Sequence, residues 1–403
     1  MNILFLTIVR INTISERGIY NDLLRKFCQK GHNVYVVTPN ERRYGQKTNL
    51  TTENKSHILK VKTLNLQKTN LVEKGLGTLM IEKQYMLAIK KNFGHIKFDL
   101  VLYSTPPITF TSIIRFIKKT NSAKSYLLLK DIFPQNAVDL GFFKKNSLIY
   151  KYFKRKEQQL YQFSDHIGCM SEANVEYIKT HNKTVPDHKL EVNPNSIEPV
   201  NKPAPDIAKK GSIKKKYNIS ADATVFLYGG NLGKPQGIGF LLDVLRKNIN
   251  NKRVFFLIIG NGTEYSKLAE WFEQNNPANA ILEKELPKQE YDELILIGDV
   301  GLIFLDPRFT IPNFPSRLLS YLENRMPVIA ATDVHTDLGP ILETNHIGKW
   351  SKSGDIQKMQ ECIDFFCDSA TRNNYGERGY SYMLSHFHVN KSYEIIMSHF
   401  KNV

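Results

Sequence analysis

The chain has 403 residues, 41% hydrophobic and 23% charged, which is the composition of a soluble globular protein with length enough for two domains. Its net charge of +16 is uneven: Met1–Val200 holds 31 Lys and Arg against 16 Asp and Glu, whereas Asn201–Val403 holds 24 against 23. The first half therefore faces an anionic partner, a membrane surface or nucleic acid. No run of 18 apolar residues offers a membrane span, and Cys28, Cys169, Cys362 and Cys367 lack CxxC spacing, which excludes a disulfide scaffold and fits a reducing cytoplasm.

In chain order, Asn2–Val9 reads as a buried first strand rather than a signal peptide. A polar turn over Asn12–Arg17, Gly18 and a helix with Leu23, Leu24, Phe27 and Cys28 on one face follow, and Gly31 ends that helix. Val34–Thr38 is the second strand, so the chain opens as a βαβ unit with a parallel sheet and right-handed crossovers. Further strands are expected at Leu100–Ser104, Ser125–Leu129 and His166–Met170. The proline-rich Asn201–Gly211 is the linker candidate, dividing an amino-terminal domain, 1–200, from a second, 201–385.

The same grammar restarts at Thr224–Tyr228. Helix Ile238–Arg246, strand Val254–Ile259, helix Tyr265–Gln274, a strand near Asn279–Leu282, helix Lys288–Ile297 and strand Val300–Leu305 follow. The fold class is α/β, two doubly wound parallel-sheet domains that bind ligands beyond the carboxyl ends of their strands. The last helix, around Ser392–Phe400, is long enough for 386–403 to pack back on the first domain.

Two segments of the second domain carry anion-binding chemistry. Tyr228–Gly239, YGGNLGKPQGIG, joins a strand to a helix: Gly230 there, like Gly262 in the GNG turn after the next strand, lets the backbone approach a ligand, and Asn231, Lys234 and Gln236 offer donors to phosphate oxygens. It matches neither a Walker A sequence nor GxGxxG, and alone it is as well read as a strand-to-helix turn. In Ile311–Asp333, Pro315 and Ser316 read as a helix entry, with the Ser316 hydroxyl accepting a first-turn N–H. Leu318, Leu319 and Leu322 form the apolar face, and Val328–Ala331 is an interior strand. Arg317 stands in the first turn, where a cation opposes the helix dipole, which an anionic ligand would explain. The pairing of both segments points to a diphosphate site.

Together, YGGNLGKPQG and PSRLLSYLENRMPVIAATD resemble the second domain of family 4 glycosyltransferases with the GT-B fold. KGHNVYVVTP, DLVLYSTPP, LLLKDIFPQNAVDLGFF and VNPNSIEP resemble the capsule and O-antigen subgroup, which includes WbuB-type L-fucosaminyl transferases. The resemblance implies retaining, metal-independent transfer of a sugar such as N-acetyl-L-fucosamine. The donor would be a UDP-sugar on the second domain, and the acceptor a polyprenyl-diphosphate-linked saccharide on the first. The family's basic pair falls at Asn231 and Gln236, with Lys234 between, so Lys234 and Arg317 would share the charge. Ser320 stands where the second of two family Glu residues is expected and Pro312 near the first, leaving ribose binding to Ser320 or Glu323. No cofactor is implied, and no His/Cys/Asp cluster has metal-ligand spacing.

For the acceptor, Asp131 at a predicted strand end is the base candidate, at a position that many relatives fill with His; a helix or turn cap is nearly as good a reading. Glu16, Arg17 and Gly18 follow the first strand and face ligand or simply make a turn. Phe142–Phe163 interleaves Lys144, Lys145, Lys151, Lys154, Arg155 and Lys156 with aromatics, a pattern suited to an anionic membrane surface or to a packed helix with one solvated face. A peripheral position on the inner face of the cytoplasmic membrane is the expectation. The competing classes are a nucleotide-sugar epimerase on the same fold and a basic nucleic-acid binder. The latter is disfavoured because no recognition helix, RRM or zinc module is evident.

Overall fold

The computed structural model describes residues 1–66, 69, 71–200, 207–284, 286 and 288–400. They fall into two compact units, Met1–Glu198 with Val389–Val403, and Pro199–His388. The first six residues of the linker candidate, 201–206, lie outside the described residues. The rest of it is not a linker, since Ile207 opens a helix that also absorbs the lysine-rich stretch to Lys216.

The first unit runs β1 (Asn2–Leu6), α1 (Ile19–Gln29), β2 (Asn33–Glu41), β3 (Asn49–Glu53), β4 (Ser56–Thr63), α2 (Leu71–Phe93), β5 (Leu100–Ser104) and α3 (Thr111–Asn121). It continues with β6 (Lys124–Leu129), α4 (Gln135–Asp139), α5 (Leu148–Phe163), β7 (His166–Cys169), α6 (Glu172–His181) and β8 (Leu190–Val192). Its sheet has the order β3-β4-β2-β1-β5-β6-β7-β8, parallel except for the antiparallel β3–β4 pair. β1 is central, and Ile3 to Leu6 are wholly buried, as a strand covered on both faces requires. It stops at Leu6, three residues short of the expected end, because the chain turns there: the Val9 N–H donates to Thr7 Oγ1 at 3.0 Å. The β3–β4 hairpin was not foreseen, because β3 is exposed along its length and carries no buried face for a periodic pattern to reveal.

The second unit runs α7 (Ile207–Lys216), β9 (Thr224–Asn231), α8 (Ile238–Asn248), β10 (Val254–Asn261), α9 (Tyr265–Asn275), β11 (Ala280–Glu283), α10 (Lys288–Ile295) and β12 (Val300–Phe304). Then come α11 (Arg317–Glu323), β13 (Val328–Thr332), α12 (Leu338–Thr344), β14 (Gly348–Lys352), α13 (Ile356–Phe365) and α14 (Ser369–His386). Six parallel strands pair in the order β11-β10-β9-β12-β13-β14. The doubly wound parallel α/β class read from the sequence is therefore the observed one. At Gly301 in β12 a Cβ would lie 2.3 Å from the Tyr321 ring, whose hydroxyl accepts the Gly229 N–H and donates to the Leu302 carbonyl, both at 3.1 Å.

The last helix, α15 (Val389–Ser398), belongs to the first unit. Tyr393 packs edge-on against Phe27 of α1 at 5.2 Å and bonds the His32 ring at 3.1 Å. Beyond it His399 stacks on His166 with ring centres 3.5 Å apart and meets Glu191, while Lys124 donates to the His399 carbonyl.

Burial, with the neighbouring His399 and Lys124 outweighing Glu191 and Asp165, pulls the His166 imidazole down to about 4. A folded-state pKa below the ordinary value near 6.5 means the unfolded chain binds the proton more readily. The contribution to stability is complete above about pH 6.5 and disappears as pH falls toward 4. Denaturant midpoints should therefore drop between pH 6.5 and 5, and His166→Phe should flatten that segment of the profile. Gly301→Ala should cost about 1–3 kcal/mol, read from urea unfolding, because Tyr321 cannot retreat without releasing Gly229.

Candidate functional site

Parallel strands place all their carboxyl ends on one edge of a sheet, and in the second unit that edge carries both segments singled out by sequence. β9 ends at Gly230 and Asn231, the turn Lys234–Gln236 follows, and Gly237, with φ +56°, starts α8. A side chain at Gly237 would collide with the Leu305 carbonyl 2.8 Å away, so the turn lies directly on the end of β12. Gly260 and Gly262 allow equally close backbone approach, the former to Gly230 and the latter to Leu232. Asn231 is exposed and Lys234 and Gln236 are half-buried.

Arg317 is the centre of this edge. Its guanidinium carbon lies 4.4 Å from the centre of the Tyr228 ring, and Nη2 donates to Gln236 Oε1 at 2.5 Å. Gly230, with φ +126°, passes so near that a Cβ there would lie 3.7 Å from the guanidinium. Tyr228 is itself fixed, its hydroxyl donating to the Asn231 carbonyl at 2.7 Å. The remaining nitrogen, Nη1, is enclosed and has no hydrogen-bond partner among the described residues. A charged donor without an acceptor is costly, so the arrangement is poised for an anion.

The structure adds residues that motif reading passed over. Arg308 grips Asp306 with two side-chain bonds of 2.8 and 2.6 Å, and the Asp306 N–H donates to the Pro235 carbonyl at 3.0 Å. Burial pushes the Asp306 carboxyl up, but the Arg308 bonds and the field of Lys234 hold it below the ordinary range. Lys234, Gln236, Asp306, Arg308 and Arg317 thus form one charged cluster. The DPR triplet after β12 was the only signal in the sequence for Asp306 and Arg308.

Three expectations change. Ser316 makes no side-chain cap, because its backbone is already helical at φ −65°, ψ −19°; it is exposed, and the first turn closes through the carbonyls of Pro315 and Ser316. α11 spans seven residues, so its dipole adds little and the anion-binding weight rests on Arg317. Glu323 is buried and accepts the Val200 N–H at 2.9 Å, tying down the start of this unit. Ser320 is half-buried on α11, three residues past Arg317.

In the first unit Asp131 follows β6 on the corresponding carboxyl edge. Asn136 Nδ2 lies 2.8 Å from both of its carboxylate oxygens, and its backbone N–H donates to Thr105 Oγ1 at 3.2 Å. Beside it, burial pulls the Lys130 ammonium down to about 7, and Lys130 Nζ donates to the Asn193 carbonyl at 3.1 Å. Glu16 and Arg17 are exposed, Arg17 donating to the Glu198 carbonyl at 3.2 Å. The Gly18 turn is organised by Asp22, unrecognised in the sequence because it sits inside α1. Its buried carboxylate takes the N–H groups of Gly18 and Glu198 and the Arg25 guanidinium.

Of the basic residues on and before α5, Lys144, Lys145, Lys151 and Arg155 are exposed and Lys156 is half-buried near the Tyr152 ring. Lys154 is not on the outer surface: it pairs at 2.5 Å with Glu157 and bonds Asn182. A buried carboxylate one turn away claims it, since an unpaired Glu157 would be expensive. Among the described residues no group of three His, Cys, Asp or Glu could hold a metal ion, and no helix is long and apolar enough to cross a membrane. All four cysteines are free.

Comparison with known proteins agrees with this anatomy. Residues 209–382, nearly the whole second unit, match the family described as glycosyl transferases group 1. Over 301 residues the chain is 21% identical to the probable glycosyltransferase WbjE of Pseudomonas aeruginosa, covering 75% of this chain and 74% of that protein. Among solved structures, Anabaena HepE in complex with UDP-glucose superposes with a TM-score of 0.71 at 12% identity, covering all of both chains. WaaG, a glycosyltransferase involved in lipopolysaccharide biosynthesis, superposes with a TM-score of 0.65 at 13% identity over 98% of this chain and 99% of its own. The chain is a glycosyltransferase whose second unit matches the group 1 family, and it is built on the two parallel-sheet domains of the GT-B fold.

Proposed function

We propose that the protein transfers a sugar from a UDP-sugar to a polyprenyl-diphosphate-linked saccharide, with retention at the anomeric carbon and without a metal ion, in the assembly of a capsule or O-antigen polysaccharide. The observation that carries the donor half is the enclosed, unpartnered Nη1 of Arg317 at the strand-end edge of the second unit. Cleavage of the donor's anomeric bond leaves negative charge on a diphosphate, and a preoriented cation there lowers the barrier without a proton transfer. Lys234 supplies a second cation within the same cluster, and Gln236 fixes the guanidinium plane. The solved relative with UDP-glucose makes uridine the favoured base and the one from lipopolysaccharide biosynthesis makes a polysaccharide acceptor the favoured class. N-acetyl-L-fucosamine is the sugar suggested by the subgroup motifs.

The acceptor hydroxyl must lose its proton as the new bond forms. Asp131 is our candidate to receive it, held by Asn136 on the carboxyl edge of the first unit. A lipid-linked acceptor also requires the enzyme to sit at the bilayer, on the inner face of the cytoplasmic membrane. The exposed Lys144, Lys145, Lys151 and Arg155 would bind anionic headgroups there.

Arg317→Ala should weaken UDP binding by calorimetry and lower kcat/KM by roughly 10²–10³, the scale of losing one transition-state donor. Arg317→Lys should recover only part, because an ammonium cannot both lie on Tyr228 and reach Gln236. Unchanged UDP affinity in both variants would remove the proposed donor site. Asp131→Asn should leave UDP affinity intact and cut turnover with a lipid-linked acceptor by about 10²–10⁴, as expected for a general base. Parental turnover would discharge Asp131 from that role.

A further inference from the structure

α2 is apolar on both of its faces. Ile81, Tyr85 and Ile89 point inward and are buried, as a helix covering a sheet requires. On the opposite side Leu76, Leu79, Met80 and Leu87 are exposed, with Leu87 at 59% and Leu79 at 52% of full accessibility. At 100° per residue these four fall on one stripe, and Lys83, Lys90 and Lys91 share it. Scattered exposed leucines need no explanation, but four large apolar side chains aligned on one exposed stripe of a 23-residue helix do.

The neighbouring helices repeat the pattern. α2 packs beside α3 and α3 beside α5, so the three form one layer on the same face of the sheet. At the start of α5, Leu148 is 83% exposed, and Ile149 and Tyr152 stand out with it. Among the described side chains of α2, α3 and α5, every exposed charged group is a cation: Lys83, Lys90 and Lys91, then Arg115 and Lys119, then Lys151 and Arg155. The acidic residues in the layer are turned to internal partners, Glu73 to Arg42, Glu82 to the Ser112 N–H and Glu157 to Lys154. A second copy of the chain would bring like charge against like charge, and a nucleic acid would gain nothing from aliphatic side chains. An anionic bilayer satisfies both halves of the surface.

We infer that α2 is a lipid-contacting element: it lies in the plane of an anionic bilayer, with Leu76, Leu79, Met80 and Leu87 entering the headgroup boundary and its lysines reaching phosphate. This rests on the membrane position proposed above and extends it from the basic segment around α5 to a second helix that is apolar where it meets the membrane.

The test is sedimentation of the full chain with vesicles of phosphatidylglycerol and phosphatidylethanolamine, against phosphatidylcholine alone. Leu79→Glu/Leu87→Glu should lower partitioning about tenfold or more while leaving UDP binding unchanged. In a separate variant, Leu79→Trp should be quenched by brominated lipid beyond the background of Trp271 and Trp350. Parental partitioning of the double Glu variant, or a tryptophan at 79 that escapes quenching, overturns the role of α2. If Lys151→Glu/Arg155→Glu abolishes partitioning while Leu79→Glu/Leu87→Glu keeps the parental level, the α5 reading survives and α2 is discarded. No partitioning of the parent chain overturns both. A dimer of the parent chain that Leu79→Glu converts to monomer assigns the stripe to a second copy, and oligonucleotide binding in place of vesicle binding assigns the cations to nucleic acid. Either result overturns the inference.

Discussion

A guanidinium laid on an aromatic ring is the interaction around which the second unit's site is arranged. Arg317 rests on Tyr228 and is held by Gln236, so elements from β9, from the turn after it and from α11 converge on one group. The π face of tyrosine and the amide oxygen reduce the cost of enclosing a cation without neutralising it. Glycine at 230 leaves the backbone close enough to frame the guanidinium, and Gly237 lets the turn lie on the end of β12. The result is a fixed hydrogen-bond donor, which is what the proposed role at a developing diphosphate would require, since a preoriented charge stabilises it without reorganisation.

The first unit uses its ionisable groups in the opposite way. Asp22 and Glu157 are buried and spent on structure, one organising the Gly18 turn and the other holding Lys154. Lys130 is desolvated to about 7 beside Asp131, whose carboxylate rests on Asn136. The positive surplus is carried instead by the layer of α2, α3 and α5, where cations and aliphatic side chains share one exposed face. Charge on this unit therefore reads as a property of a surface, while charge on the second unit reads as a property of a point.

Much of the fold was visible in hydrophobic runs. β5, β6, β7, β9, β10 and β12 begin within a residue of where their apolar runs do, because a strand covered on both faces must be apolar throughout. The hairpin of β3 and β4 escaped because an exposed edge strand carries no such demand, and β8 is only three residues long with no buried position. The site was legible in part for a similar reason. Glycines at strand ends and an arginine in a first helical turn are locally anomalous, and anomalies mark function. Asp306, Arg308 and Tyr228 are locally ordinary, and only packing gives them a place.

Sequence by itself determined the two parallel α/β units and the resemblance to family 4 glycosyltransferases, together with the concentration of positive charge in the first half, since periodicity, motif order and composition are properties of neighbouring residues. Tertiary structure decided which charges are available. It gave Lys154 to Glu157 and Glu323 to the Val200 backbone, left Ser316 without a capping bond, and joined Arg317 to Gln236 across 81 positions. Whether a charged side chain is a ligand-binding group or a structural partner depends on what desolvates it and what lies within hydrogen-bond reach, and those are set by contacts between segments distant along the chain.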